Sequence, residues 1–332
     1  MVSLLAQVHS LVAVDVDSMD PAVAVRHAAE ARFCDMTSNQ AIVEGEGSRP
    51  ERADILKAAC EEAKAAGGDQ DQQVVDPTAQ AVLLAKQVYP NITGRVLVQT
   101  SPSAAYDTAA TIDHATRFVA LFETHGIPRS RVCIKIPATP ESILACQALE
   151  LKGISTLATC LFGVPQAIAA YQAGCHYVAP YFNELRVHFE EGVWKEYENT
   201  AKEHPMSPVI AAIVKAYKAI GAKTLVMPAS IVTAKEVVAL TSLGPDHLTL
   251  SGSVLDQLAA LPASQELDTP LETNAALDDQ ELAADYIKAG GDALRIALAK
   301  DTEATRKLAE ALDIFDKKEQ HTKVLIREIL SA

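Results

Sequence analysis

No glycine-rich phosphate loop follows any strand pattern in this chain, and GxSxG and HExxH are missing too. The first absence removes the backbone cradle of dinucleotide and nucleoside-triphosphate enzymes; the others remove the serine elbow and the helical zinc pair. Nine histidines, among them His114, His176, His188 and His247, show no metal-ligand spacing, and most read as surface residues. The six cysteines (Cys34, Cys60, Cys133, Cys146, Cys160, Cys175) include no CxxC pair and fall within strand-like or helix-like segments. They read as buried, reduced thiols of a reducing compartment. No Lys or Arg precedes Arg26, and Asp15 and Asp17 break the early apolar run, so the N-terminus does not read as a secretory signal. No segment approaches the ~18 uninterrupted apolar residues of a membrane span. Basic residues are outnumbered 29 to 43, and a formal charge of −14 disfavours nucleic acid or an anionic membrane as a partner. These absences predict a cytoplasmic protein without cofactor or metal.

What the 332 residues do contain is a rhythm. Eight short apolar runs (11–16, 32–36, 95–99, 132–136, 155–161, 177–181, 224–229 and 247–250) alternate with segments of helical period. Those helical segments are 21–31, 53–66, 105–124, 141–151, 165–173, 209–220 and 234–243. Strands that alternate with helices make a parallel sheet, and eight such units predict a closed (β/α)8 TIM barrel of class α/β. Residues 67–73 read as a polar turn and 261–284 as an irregular linker, while 298–330 read as one or two amphipathic helices. The expectation is a single domain over 1–332 with a C-terminal helical extension.

Lys135 stands inside the apolar run Val132–Pro137, where lysine is rarely found. Either it snorkels to water from a strand end, or burial lowers its pKa and makes it an amine nucleophile. Strand parity bears on the choice. Val12, Val14 and Val16 share the helix-facing side of the first strand, so Asp15 and Asp17 point inward. The same alternation turns Lys135, Gln99, Thr159 and Tyr181 inward, with Cys160 outward, and gives Ser230 the face of Val226 and Pro228. Most of these polar residues lie at C-terminal strand ends, where barrel enzymes place their active sites. A buried polar group is costly unless satisfied, so a set spread over separate strands around one lysine points to function.

With these residues in place, the chain resembles the transaldolase family of class I, Schiff-base aldolases over nearly its whole length. VDSMD (16–20) is similar to the family's first-strand aspartate segment, and DMTSN (35–39) to its TTNP-type motif, with Asn39 kept and Gln40 in place of proline. VCIKIPAT (132–139) resembles the lysine strand and GISTLATCLF (153–162) the threonine strand. Gln99, Ala179 and Tyr181 resemble the fructose-6-phosphate aldolase branch rather than transaldolases proper, although the length and C-terminal helices resemble transaldolase. Glu184 aligns with the family's phosphate-binding arginine and Val232 with a second basic position, leaving Arg186 as the nearest compensating cation.

The resemblance implies an imine on Lys135, with Asp17 as acid/base and Asp15 as the alternative assignment. Thr159, Gln99 and Tyr181 would hold a proton-shuttling water, Tyr181 would protonate the new alkoxide, and Asn39 and Ser230 would orient donor hydroxyls. Glu184 and Arg186 would meet the far end of the substrate. The expected partners are small carbonyl compounds, with a homodimer as one open assembly. Three functions stay open: a lyase for non-phosphorylated carbonyls, a transaldolase moving a dihydroxyacetone unit between sugar phosphates, and a catalytically silent binding barrel.

Overall fold

A computed structural model of the chain describes residues 2–65, 77–268 and 277–331. Eight parallel strands alternate with helices: β1 (Ala13–Val16), β2 (Met36–Thr37), β3 (Val96–Gln99), β4 (Val132–Pro137), β5 (Ser155–Leu161), β6 (Tyr177–Pro180), β7 (Leu225–Val226) and β8 (His247–Leu250). They pair in the order β7-β6-β5-β4-β3-β2-β1-β8. Asp246 N donates to Val226 O at 3.0 Å and Thr249 N to Pro228 O at 3.4 Å, which brings β8 against β7 and closes the circuit. The protein is a (β/α)8 barrel with C-terminal helices, as the alternation predicts.

Helix starts follow local capping chemistry. Asp107 accepts from Ala110 N ahead of Thr108–Thr124, and Thr139 precedes a proline at the first position of Pro140–Glu150. Thr233 and Glu236 form a capping box on Ala234–Ser242.

Several expected boundaries move. The expected first strand begins two residues late, because Leu4–Leu11 forms a helix capped by Ser3. Expected strand 32–36 shrinks to Met36–Thr37, since the Asp35 N–H goes to the Asp15 carboxylate at 2.8 Å. Expected strand 224–229 shrinks to Leu225–Val226, where Pro228 has no N–H to give the ladder. Helices Gln40–Gly47, Thr78–Val88 and Gly252–Ala260 were not expected.

The polar turn at 67–73 lies outside the described residues, as does 269–276 of the expected linker. The rest of that linker holds a 3-10 turn, Gln265–Asp268, and a short helix, Asp279–Ala283. The C-terminal helices are Asp292–Lys300 and Thr302–Ser331. In the second, Leu308, Ala311, Leu312 and Phe315 join the barrel's hydrophobic core. Its polar side chains tie to segments that follow β2, β3 and β6: Lys318 to Glu44 at 3.2 Å, Glu319 to Ser101 at 2.8 Å and Arg306 to Glu184 at 2.6 Å. The helix therefore crosses the C-terminal end of the barrel. No helix among the described residues is long and apolar enough to cross a membrane.

Candidate active site

All six residues of β4 are buried, and Lys135 at its centre is only 2% exposed. Its side chain does not snorkel. Burial pulls the Lys135 pKa below the ordinary lysine value, while Asp17 and then Cys160 pull it back up. The ammonium is therefore costly here, and the free amine is correspondingly accessible.

Lys135 opens into a cavity of about 220 Å³ at the C-terminal ends of the strands, shared with Asp17, Asn39, Tyr181, Ser230 and Thr249. Asp17 follows β1 and accepts from Thr37 Oγ1 at 2.6 Å; Thr37 in turn meets Thr249 Oγ1. Asn39 caps helix Gln40–Gly47 by accepting from Ala41 N and Ile42 N at 2.9 and 3.1 Å. That fixes its carbonyl and leaves its NH₂ to face a ligand. Tyr181 lies with its ring centroid 5.8 Å from Lys135 Nζ and edge-on to Phe162 at 5.7 Å. Burial lifts its pKa well above the usual phenol value, with Cys160 adding to the rise, so the phenol keeps its proton at neutral pH.

The register between β5 and β6 slips between Ala158 and Leu161, and Cys160 takes a left-handed φ of 51°. This bulge overturns the strict alternation that turned Cys160 outward: its thiol faces Lys135, Tyr181 and Thr159. Burial pushes the thiol up to about 12, so it remains a neutral filler rather than a second nucleophile. Thr159 Oγ1 is buried beside the Tyr181 phenol and makes no hydrogen bond of good geometry.

Three expected site residues sit elsewhere. Gln99 pairs in register with Lys135, yet its Nε2 donates to Gln40 Oε1 at 2.7 Å, and it faces a separate, smaller pocket. Gln40 Nε2 is held by Thr100 O at 2.8 Å, so the residue that replaces the motif's proline captures the Gln99 amide. Glu184 and Arg186 do not line the cavity. Glu184 binds Arg306, and Arg186 binds Glu190 at 2.8 Å. Both arginines also approach Glu310, and these carboxylates raise their pKa values further. Both of these arginines are thus committed to carboxylates, while Lys307, next to Arg306, lies over the Phe162 ring at 5.8 Å.

Sequence reading missed His188. It is not idle surface: it lines the cavity, with Nε2 2.9 Å from Ser230 Oγ. It follows β6 in a loop, where strand parity gives no signal. His188 itself is exposed, but His27, His114, His204 and His247 are buried, which corrects the expectation that most histidines lie at the surface. Ser230 adopts φ 60°, a conformation that usually persists only where its surroundings impose it. Here they do. Ser230 O accepts from Asn183 N and Nδ2 at 3.1 and 3.0 Å, and buried Glu236 accepts from Asn183 Nδ2, Val232 N and Trp194 Nε1. Removing this acceptor strands several buried donors, so Glu236→Ala is expected to cost about 3 kcal/mol of stability in urea unfolding.

Asp15 belongs to a different group, nearer the N-terminal strand ends. Its carboxylate accepts from His247 Nδ1 at 2.9 Å and from Asp35 N. Asp15, Cys34, Asp35 and His247 offer ligand-type atoms within 4.8 Å of one another, which sequence spacing did not foretell. Their mutual hydrogen bonds, with Arg95 N donating to Asp35 Oδ1, give the group a structural account.

Comparison with known proteins agrees with this geometry. The pattern of the transaldolase/fructose-6-phosphate aldolase family matches residues 14–325. A transaldolase of Alteromonas mediterranea is 33% identical over 90% of this chain and 91% of its own. Transaldolases of Rhizobium etli (31%, covering 96% and 94%) and Gibberella intermedia (29%, covering 90% of each) are similar over the same extent. The chain belongs to the transaldolase/fructose-6-phosphate aldolase family and is an enzyme of the class I aldolase/transaldolase type.

Proposed function

We propose that the protein is a lysine-imine aldolase that makes or breaks a C–C bond between a small ketone donor and an aldehyde, neither carrying a phosphate. One observation carries this reading: the cavity places Lys135 opposite Asp17, and its lining includes no arginine and no other lysine. The neutral Lys135 amine adds to the ketone carbon, giving a carbinolamine that loses water to become an iminium. Asp17 takes a proton from the adjacent carbon, and the electron pair flows into the iminium to form an enamine. The enamine carbon attacks the aldehyde, the C=O π pair becomes an alkoxide, and the Tyr181 phenol protonates it. Water then hydrolyses the new iminium and frees Lys135. Thr159, below Tyr181, has an unused hydroxyl for the water exchanged in these steps. Gln99 acts at one remove, through its pairing with Gln40. Asn39 presents its amide to donor hydroxyls.

Phosphate is the deciding substituent. A phosphate dianion needs charge-assisted hydrogen bonds, each worth about 1.5–3 kcal/mol, and two basic positions of the family pattern are Glu184 and Val232 here. The expected result is kcat/KM at least ~10²-fold higher for fructose than for fructose 6-phosphate. Glu184→Arg with Val232→Arg should narrow that ratio. Efficient cleavage of the phosphate by the wild type, with no gain in the double variant, would mean that another residue holds the phosphate, and the ordinary transaldolase reading would replace this one.

A further inference from the structure

The two ends of the cavity differ in chemistry. Lys135, Asp17 and Tyr181 occupy the inner end and account for the donor. The rim belongs to His188 and Phe189, with Leu185 and Ile231 beside them. His188 ends the 3-10 turn Leu185–His188 and is exposed at the cavity mouth. Its Nε2 meets Ser230 Oγ, whose left-handed backbone is pinned through Asn183 to Glu236. The imidazole is therefore placed by a buried network rather than left free at a loop tip. Desolvation in the recess pulls its pKa below the ordinary histidine value, against the opposing pull of Asp17 and Glu236. With Nε2 turned to Ser230 Oγ, the neutral ring keeps Nδ1 for a single hydrogen bond, which suits one hydroxyl and not a phosphate dianion.

We propose that His188, held by Ser230, is the acceptor-binding residue, and that it takes an uncharged hydroxyaldehyde through the hydroxyl next to its aldehyde carbon. Phe189 and Ile231 cover the carbon chain of that aldehyde. This inference rests on the lysine-imine reading and names the class of its second substrate. His188 takes no part in imine formation, so the donor half-reaction and the acceptor step separate experimentally.

The test uses the purified full chain with saturating dihydroxyacetone, and glyceraldehyde or propanal as acceptor. Propanal keeps the carbon chain and lacks the hydroxyls. In His188→Phe the KM for glyceraldehyde is expected to rise about tenfold, the worth of one hydrogen bond, while the KM for propanal stays within about twofold. His188→Asn, whose side-chain amide falls near the place of Nδ1, should recover most of the glyceraldehyde binding. Borohydride trapping of dihydroxyacetone on Lys135 should proceed alike in all three proteins. An unchanged glyceraldehyde KM, an equal rise for both aldehydes, or no recovery in His188→Asn overturns the proposal while trapping still upholds the imine. Wild-type protein that traps no ketone on Lys135 sinks the imine reading, and the acceptor assignment with it.

Discussion

Lys135→Met is expected to abolish borohydride-dependent labelling by dihydroxyacetone and to reduce turnover to background, while raising the thermal midpoint. The two effects share one cause. Burial holds the folded-state pKa of Lys135 below its unfolded value. Between those two values the unfolded chain binds the extra proton, so this group's contribution to stability is full only above the unfolded pKa and is lost as pH falls through the folded one. At neutral pH the lysine is therefore a burden on the fold, and methionine fills the space without needing a charge. The same shift predicts that trapping in the wild type accelerates with pH through a midpoint below 10.5, because only the free amine attacks. Peptide mapping of the reduced adduct decides the matter: a label on exposed Lys152 instead of Lys135 would remove the mechanism.

Asp17→Asn is expected to lower kcat by roughly 10²–10⁴-fold, the usual worth of a positioned general acid/base, with little change in thermal midpoint. Asparagine still accepts from Thr37 Oγ1, so the fold loses little. Asp15→Asn should show the opposite profile. Burial pushes the Asp15 carboxyl up to about 6, with His247 opposing, and its oxygens serve His247 and the Asp35 N–H rather than the cavity. That variant should lose roughly 1–3 kcal/mol of stability and keep most of its kcat. Measuring kcat and the melting temperature of both variants side by side tests the assignment. The reverse ranking would put the acid/base two residues earlier.

Strand parity made the inner end of the site legible. Asp17, Lys135 and Tyr181 each follow the alternation of their strands, and each faces the cavity as the alternation predicts. Parity failed where the backbone left its period. One left-handed residue at Cys160 turns a thiol that counts as outward toward the lysine. His188 sits in a loop with no period to read. Gln99 was placed on the right strand, but its direction depends on Gln40, a partner 59 residues away that hydrogen-bonds sideways. Glu184 was a conspicuous departure from the family pattern, yet nothing local reveals that Arg306 neutralises it from the C-terminal helix. Local pattern reports which residues are unusual. It does not report which of them have already found a partner.

That last pair has a consequence for biosynthesis. Glu184 and Arg306 are 122 residues apart in the chain. At about 5–20 residues per second, the ribosome delivers the arginine roughly 6–24 s after the glutamate. By the end of that interval every strand of the barrel has been made, β8 included, but most of the helix that crosses its mouth has not. The nascent barrel therefore passes through a stage in which its mouth is uncovered and Glu184 lacks its cation, and the emerging Arg306 is drawn toward that charge. The Glu184 carboxylate thus also gives the last long helix an electrostatic address on the half-made molecule.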